Sequence, residues 1–202
     1  MTKDKPGADW LSYHIKSDLY RYEARTDMMG MVVALIRYKG FRLSFWYRIC
    51  RFFDVTDKKV LLFITKRIYR RLMNKYGVDI ATEIPIGPGL YIPGAHGVFI
   101  NRECVLGENI TLSPNVVFGY KHRGSKKGGP VLKDNVFVGP GAVIIGKIVV
   151  GSNVAIGANC VLTKDAPDNA VVGGVPGVIL SMAGAKEYIN NVDYHEKIAL
   201  KA

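Results

Sequence analysis

The sequence predicts a mainly β chain, a parallel β-helix with short helices before it and a helical tail after it. Three observations support this prediction: a six-residue repeat, a basic segment with helical periodicity, and glycines spread through the repeats. The repeat is clearest in residues 138–162, where aliphatic residues recur at every sixth position. They are Val138, Ile144, Val150, Ile156 and Leu162. A period of six fits neither a strand nor an α-helix and is typical of a parallel β-helix.

The repeat extends back to about residue 80, and three units would form one triangular coil of about 18 residues. The third position after each aliphatic residue holds Gly141, Lys147, Asn153, Asn159 or Asp165. Gly, Asn and Asp tolerate the left-handed backbone conformation that a corner needs. The longest interruption separates Phe118 from Leu132 and contains GYKHRGSKKGGPV. It predicts a loop that leaves a triangular prism of about five coils.

Three segments are predicted. Residues 1–76 form a basic α-helical segment, residues 77–180 a β-helix domain with an excursion loop at 119–131, and residues 181–202 a C-terminal tail. Residues 1–76 contain 17 Lys or Arg and 7 Asp or Glu, whereas residues 77–202 contain 11 and 10. Nearly all of the net charge of +11 therefore precedes the repeats. We expect helices at about 8–24, at about 30–53 with a turn near YKGF, and at about 58–76.

The last of these helices, residues 58–76, is basic and amphipathic. One side holds Leu61, Ile64, Ile68 and Leu72, and the other holds Lys66, Arg67, Arg70, Arg71 and Asn74. Two interpretations stay open: the apolar side packs on the base of the prism, or the helix binds an anionic membrane surface. Nucleic acid is not an expected partner, because the repeats are nearly neutral and no nucleic-acid-binding module is recognisable.

The three cysteines, Cys50, Cys104 and Cys160, are odd in number and show no CxxC spacing, so we expect reduced thiols. No apolar run reaches the roughly 18 residues of a membrane-spanning helix, and the polar start MTKDKPGADW does not match a signal peptide. We expect a cytoplasmic protein, and the basic helix allows peripheral binding to the inner face of the membrane.

Four stretches besides the repeats carry a family resemblance: KSDLYRY, YKGFRLSFWYRI, IGPGLYIPGAHGVFIN and GGVPGVIL. With them the chain resembles the left-handed β-helix acyltransferases over about residues 16–180. More narrowly, it resembles the serine acetyltransferase family and its relatives in capsule and exopolysaccharide gene clusters. The resemblance implies a left-handed β-helix, a homotrimer, acetyl-CoA bound in a cleft between subunits, a histidine general base and no metal.

The chain has four histidines, and two of them are candidates for catalysis. His14 and His195 are interpreted as surface residues. By the resemblance, His96 lies where the family carries its catalytic histidine, and His122 lies in the family's active-site loop. We therefore predict His96 as the general base, oriented by a backbone carbonyl or by the adjacent subunit, and His122 as an auxiliary group.

The chain also departs from the family's pattern. The family's Asp-His pair aligns with Pro93 and Gly94, and its second histidine aligns near Gly129. Because the Asp that would help to hold a serine substrate is missing, this departure favours a sugar acceptor over free serine.

Further site residues follow from the resemblance. The acceptor-binding candidates are Tyr120, Arg123, Lys126 and Lys127 in the excursion loop. The candidates for the acetyl-CoA groove are Gly139, Gly141, Ala142, Gly157, Ala158, Val175 and Pro176. Small residues let a thin ligand approach the backbone, although repeat geometry alone would also require many of these glycines.

The function expected from these features is acetyl-CoA-dependent O-acetylation of a sugar hydroxyl in a surface polysaccharide or its precursor. The first alternative is O-acetylation of L-serine. A second is a β-helix metalloenzyme, which would need three histidines at a subunit boundary, whereas the repeat region holds two. A third is a non-catalytic β-helix scaffold.

Overall fold

The computed structural model describes residues 7–199. The chain enters through four helices that form a layer beneath the prism. They are α1 (Ala8–Glu23), α2 (Met28–Arg37), α3 (Lys39–Val55) and α4 (Lys59–Tyr76). Asp27 caps α2 by accepting a hydrogen bond from the Gly30 N–H, and Gly77 ends α4 in the left-handed conformation. The predicted turn near YKGF is a break at Tyr38, which separates α2 from α3.

Within residues 7–199, thirteen short strands follow, all but the last in parallel ladders. They are β1 (Asp79–Ile80), β2 (Phe99–Ile100), β3 (Val105–Leu106), β4 (Thr111–Leu112), β5 (Val117–Gly119), β6 (Val131–Leu132), β7 (Phe137–Val138), β8 (Val143–Ile145), β9 (Val149–Val150), β10 (Ala155–Ile156), β11 (Val161–Leu162), β12 (Val171–Gly173) and β13 (Val178–Ser181). A 3₁₀ turn (Lys186–Tyr188) and helix α5 (Tyr194–Ala199) complete the tail.

The strands form three sheets, one on each face of the prism. Sheet 1 has the order β1-β2-β5-β8-β11, sheet 2 the order β4-β7-β10-β12-β13, and sheet 3 the order β3-β6-β9. The register pairs Val117 with Val143 and Val143 with Val161, so residues one coil apart lie directly above one another. Strand β13 pairs antiparallel with β12 at the top of sheet 2. The six-residue period thus gives the parallel β-helix that the sequence predicts.

The core is a stack of inward-facing aliphatic side chains. Val138, Ile144, Val150 and Ile156 are completely buried, as the repeat predicts. Three of the predicted corner residues, Gly141, Asn153 and Asn159, adopt the left-handed conformation. Lys147 and Asp165 do not: in the turn of Lys147 the preceding Gly146 has the positive φ, and the turn of Asp165 has no residue in that conformation.

A buried ion pair joins the helices to the first coil. The Arg48 guanidinium donates to both carboxylate oxygens of Asp18, at 2.9 and 3.0 Å, and both side chains are fully buried. Arg48 also donates to the carbonyls of Ile86 and Gly87, at 2.6 Å each. Asp18 in turn accepts a hydrogen bond from the Leu90 N–H at 2.8 Å. Two helices and the first turns of the prism therefore share one hydrogen-bond network.

His14 is buried rather than on the surface, which corrects the sequence interpretation. It lies one turn before Asp18, on the face of α1 that packs inward. Its Nδ1 lies 2.8 Å from the Trp10 carbonyl, and burial lowers the pKa of the ring to about 4. His14 is therefore a neutral packing residue at neutral pH. His195 is exposed and contacts the Tyr13 hydroxyl through Nδ1 at 2.6 Å.

The inward side of α4 differs from the predicted one. Leu62, Thr65 and Tyr69 face the prism and α3, and the Tyr69 hydroxyl donates to the Ile80 carbonyl at 2.8 Å. Of the predicted apolar side, Leu72 packs against the core, whereas Leu61 and Ile64 are about half exposed, at 44% and 52%. The hydroxyls of Thr65 and Tyr69 find backbone acceptors, so these amphipathic residues can occupy the buried side.

Within residues 7–199, no helix is both long enough and apolar enough to cross a membrane. The three cysteines are buried and unpaired, and burial raises the pKa of the Cys104 thiol to about 12.

Candidate functional site

One corner of the prism stacks His96 beneath the predicted acetyl-CoA groove. The Asn115 N–H donates to the His96 carbonyl at 2.9 Å, the Gly141 N–H to Pro114 at 3.0 Å, and the Asn159 N–H to Pro140 at 2.9 Å. These bonds place four successive turns above one another where sheet 2 passes into sheet 1. We call this the His96 corner: residues 93–97, 113–116, 139–142 and 157–160.

His96 is exposed at the lowest turn of this corner. Its Nδ1 lies 2.8 Å from the Gly94 carbonyl oxygen. A carbonyl can only accept, so Nδ1 must carry the proton and Nε2 of the neutral ring holds a free lone pair. A backbone carbonyl is one of the orienting partners expected from the sequence, and the Gly94 carbonyl takes that position.

Only some of the predicted groove residues line a cavity. Gly139, Gly157 and Ala158 line a cleft of about 230 Å³ together with Phe137 and Tyr188. Gly141 forms a left-handed turn, where an added Cβ would lie 2.1 Å from the Asn159 side-chain oxygen. Val175 and Pro176 are exposed in the turn between β12 and β13.

The prediction that Ala142 contributes to the acetyl-CoA groove is wrong. It is fully buried in the core, because it occupies the inward small position of its repeat. Its side chain therefore cannot contact a ligand in the groove.

The excursion loop leaves the prism at a different corner, where sheet 1 passes into sheet 3. Lys121 and Gly128 exchange backbone hydrogen bonds at 3.1 Å, which closes the base of the loop. The Lys126 ammonium donates to Asp165 at 2.7 Å and holds the pKa of that carboxyl below its usual value. Lys126 therefore ties the loop to the prism, and its charge is already partnered. Arg123 is exposed on the loop.

A cavity of about 590 Å³ lies beneath this loop. Tyr120, His122 and Lys127 line it from the loop, and the Tyr120 and His122 rings lie 4.8 Å apart. The opposite wall is made by the first coils and includes Asp79, Asn101, Arg102 and Glu103. The cavity thus presents both carboxylates and cations beside a histidine.

Those four wall residues were not predicted from the sequence. Asp79 and Arg102 are 23 positions apart and follow no local motif. A usable signal was the repeat register: β1 pairs with β2 and β2 with β5, so Asp79 and Arg102 lie two coils and one coil below the strand that leads into the loop.

His96 and His122 lie at different corners of one chain, and only His122 is among the residues that line the cavity beneath the loop. A single prism does not bring the two predicted catalytic residues together. Among residues 7–199, no three or more His, Cys, Asp and Glu side chains are grouped to hold a metal ion.

Comparison with known proteins identifies the family. A profile of the bacterial transferase hexapeptide (six repeats) family matches residues 129–164. The serine acetyltransferase of Bacillus pumilus is 30% identical over 155 residues, which cover 77% of this chain and 70% of that protein. The chain belongs to the serine acetyltransferase family. The enzyme of Staphylococcus aureus is 36% identical over 110 residues, 54% of this chain and 52% of that protein.

Solved structures of the family superpose on the same fold. Serine acetyltransferase of Neisseria gonorrhoeae gives a TM-score of 0.72 at 30% identity, covering 86% of this chain and 66% of that one. The Brucella abortus enzyme in complex with coenzyme A gives 0.69 at 26% identity, covering 86% and 67%. The chain therefore spans between about half and 70% of the length of the relatives it matches.

These findings confirm three predictions and correct one. The left-handed β-helix fold, the acyltransferase class and acetyl-CoA as the family's co-substrate are confirmed. The predicted sugar acceptor is wrong, and the comparisons lend no support to a particular closeness to capsule and exopolysaccharide enzymes. The curated relatives are serine acetyltransferases, and a family structure in complex with serine superposes at a TM-score of 0.70 and 29% identity.

Proposed function

We propose that this protein transfers the acetyl group of acetyl-CoA to the hydroxyl of L-serine. The observation that carries this proposal is the cavity beneath the excursion loop, which places Asp79 and Arg102 around His122. Serine carries an ammonium and a carboxylate at neutral pH, and a site with both signs of charge suits such a zwitterion. The activity of the serine acetyltransferase relatives supports the same substrate.

Each end of serine has a partner in this cavity. The Asp79 carboxylate can accept from the ammonium, and the Arg102 guanidinium can donate two parallel hydrogen bonds to the carboxylate. Glu103 offers a second acid beside Arg102. The missing Asp at Pro93 is therefore compensated by Asp79.

The chemical step needs a base and a donor for the leaving thiolate. In the proposed mechanism, His96 Nε2 takes the hydroxyl proton while serine Oγ attacks the thioester carbonyl carbon. Backbone N–H groups of the coils stabilise the oxyanion. When the intermediate collapses, the C–S bond breaks and the imidazolium returns the proton to the sulfur of CoA, leaving O-acetylserine.

A homotrimer would bring the two halves of this site together, and we propose that assembly. The His96 corner of one subunit would face the loop and cavity of its neighbour. Exposed apolar side chains on the faces that meet at the loop support the proposal: Phe99 on sheet 1, and Val105 and Val149 on sheet 3. Such residues are typical of a subunit interface.

The first expected result concerns serine binding. Asp79→Asn and Arg102→Gln should each raise the KM for serine about 10- to 100-fold, which corresponds to the roughly 1.5–3 kcal/mol of a hydrogen bond to a charged group. The KM for acetyl-CoA should change less than about twofold. Release of the CoA thiol measures both constants, and Arg37→Gln, at an exposed position of α2, serves as the control. Unchanged serine KM values in both variants would contradict the assignment of this cavity to serine.

We also propose that the protein binds peripherally to anionic membranes through the outer face of α4. Val60, Phe63 and Ile64 are exposed on the first turns of that face. Arg67, Arg70 and Arg71 follow toward the C-terminal end, and residues 58–76 contain no Asp or Glu. Apolar side chains beside a run of arginines suit the boundary between anionic headgroups and acyl chains.

The second expected result tests this surface with liposomes. Sedimentation with liposomes containing anionic lipid should be strong at low salt and weak at high salt. Combined Arg67→Gln, Arg70→Gln and Arg71→Gln should abolish it, whereas Lys147→Gln, Lys164→Gln and Lys186→Gln, the same charge loss on the prism and tail, should not. Lys66 is left unchanged, because it pairs with Glu83 at 3.3 Å. Equal pelleting of both triple variants would refute the role of α4.

A further inference from the structure

The C-terminal tail is fastened to the upper coils of the prism. The Gly184 N–H donates to the Asn169 carbonyl at 3.0 Å. The Ala185 N–H donates to the carbonyl and to the side-chain oxygen of Asn153, at 3.1 and 3.0 Å. These contacts lie at the third corner, where sheet 3 passes into sheet 2, and they start the tail back toward the helical base.

The far end of the tail is fastened to the helices. Tyr194 is fully buried, with its ring 6.3 Å from Tyr13 and 6.4 Å from Tyr20. Ile198 packs in the same cluster, and the His195 ring contacts the Tyr13 hydroxyl. The segment between residues 185 and 194 is therefore held at both ends against sheet 2.

Tyr188 lies between these two anchors, beside the acetyl-CoA groove. Its ring stacks on Phe137 of β7, with centroids 4.9 Å apart and an interplanar angle of 25°. The two rings form one wall of the 230 Å³ cleft whose other side is Gly139, Gly157 and Ala158. Tyr188 is 54% exposed, so its ring has a large free surface beside an apolar cleft.

The height of this cleft above His96 indicates which part of acetyl-CoA it would meet. Gly141 lies two coils above His96 and Asn159 lies three, which at about 4.8 Å per coil is roughly 10 and 14 Å. If the thioester of acetyl-CoA lies at His96, its pantetheine arm would extend upward along the His96 corner toward this cleft. The arm's methylene and methyl groups match an apolar cleft between aromatic rings and glycines.

We infer that the tail builds one wall of the acetyl-CoA groove and that Tyr188 is a residue that positions the pantetheine arm. This inference rests on the proposed use of acetyl-CoA and adds a binding residue outside the repeats. Tyr194 and Ala185 act through Tyr188 by fixing the segment that carries it.

The test compares Tyr188→Ala with Tyr188→Phe. Calorimetry should show the affinity for CoA falling about 5- to 20-fold in Tyr188→Ala, because an aromatic contact is lost. Tyr188→Phe should remain within about twofold of wild type, since it keeps the ring. The KM for S-acetylpantetheine, a donor without the nucleotide, should rise by the same factor as the KM for acetyl-CoA, while the KM for serine stays constant.

The outcomes separate this inference from the proposed function. Wild-type protein that binds no CoA would end the proposed function itself. Wild-type binding with an unchanged Tyr188→Ala variant would overturn only the role of the tail. A loss confined to acetyl-CoA, with S-acetylpantetheine unaffected, would place Tyr188 against the nucleotide and refute the pantetheine assignment. Because Tyr188 is exposed, an unchanged thermal unfolding curve is expected and verifies that the variant is folded.

Discussion

Replacing His96 by Asn is expected to lower kcat for serine acetylation by about 10²- to 10⁴-fold, the usual contribution of a general base. Affinity for acetyl-CoA should remain nearly unchanged, because the imidazole acts on the serine proton rather than on the bound cofactor. The physical reason lies in the hydrogen bond to the Gly94 carbonyl, which fixes the ring on the coil and directs Nε2 of the neutral tautomer away from that carbonyl. The rate of CoA release at saturating substrate measures kcat, and calorimetry measures CoA affinity.

His122→Asn is the matched comparison, because this ring lies on the excursion loop and lines the proposed serine cavity. It should mainly raise the KM for serine. Light scattering of both variants should give the mass of three chains. A loss of turnover could then not be explained by a loss of trimer assembly. The opposite kinetic pattern would exchange the two roles, and two active variants would exclude a histidine base. A fully active monomer would exclude the shared site.

Replacing Arg48 by Met is expected to lower the free energy of unfolding by about 3–5 kcal/mol. The substitution leaves the fully buried Asp18 carboxylate without its cation, and it leaves the Ile86 and Gly87 carbonyls without their donor. Urea unfolding followed by circular dichroism measures the loss. The protein should also lose turnover at lower urea concentrations than wild type, since the ion pair holds the first coil, which carries Asp79.

The control for Arg48 is Arg25→Met, which breaks another Arg-Asp pair at the surface. Arg25 and Asp27 are 2.6 Å apart but solvent-exposed, so stability should barely change. Adding Asp18→Asn to Arg48→Met should restore part of the lost stability, because the unpaired charge is removed. Equal midpoints for Arg48→Met and wild type would show that the buried pair is not needed for stability.

The repeat made the fold predictable, whereas the site depended on contacts between distant residues. A period of six sets both the inward positions and the corners, so Val138 and Ile156 could be placed in the core from the sequence. The orientation of α4 could not, because Thr65 and Tyr69 take the buried side, and the Tyr69 hydroxyl meets its acceptor, the Ile80 carbonyl, only in the folded protein. Hydrophobic periodicity treats those residues as ambiguous.

The wrong acceptor prediction has the same origin. It rested on a local departure, Pro93 and Gly94 in place of an Asp-His pair. A carboxylate that reaches the site from another coil is distant in sequence and cannot be detected in such a local motif. Asp79 does so, since stacking of β1 under β2 places it near Arg102 and the loop.

The tail also changes how the stack of coils can come apart. In a linear solenoid each coil contacts only its neighbours, so the outermost coil can fray without disturbing the rest. Here one segment joins the upper coils at Asn153 and Asn169 to the helices at Tyr13 and Tyr20. The tail thereby connects the last coils of the β-helix directly to the helices at its other end. Unfolding of the top coil must therefore also disturb the tail contacts with the N-terminal helices. We expect the coils to unfold more cooperatively than those of a solenoid without such a tail.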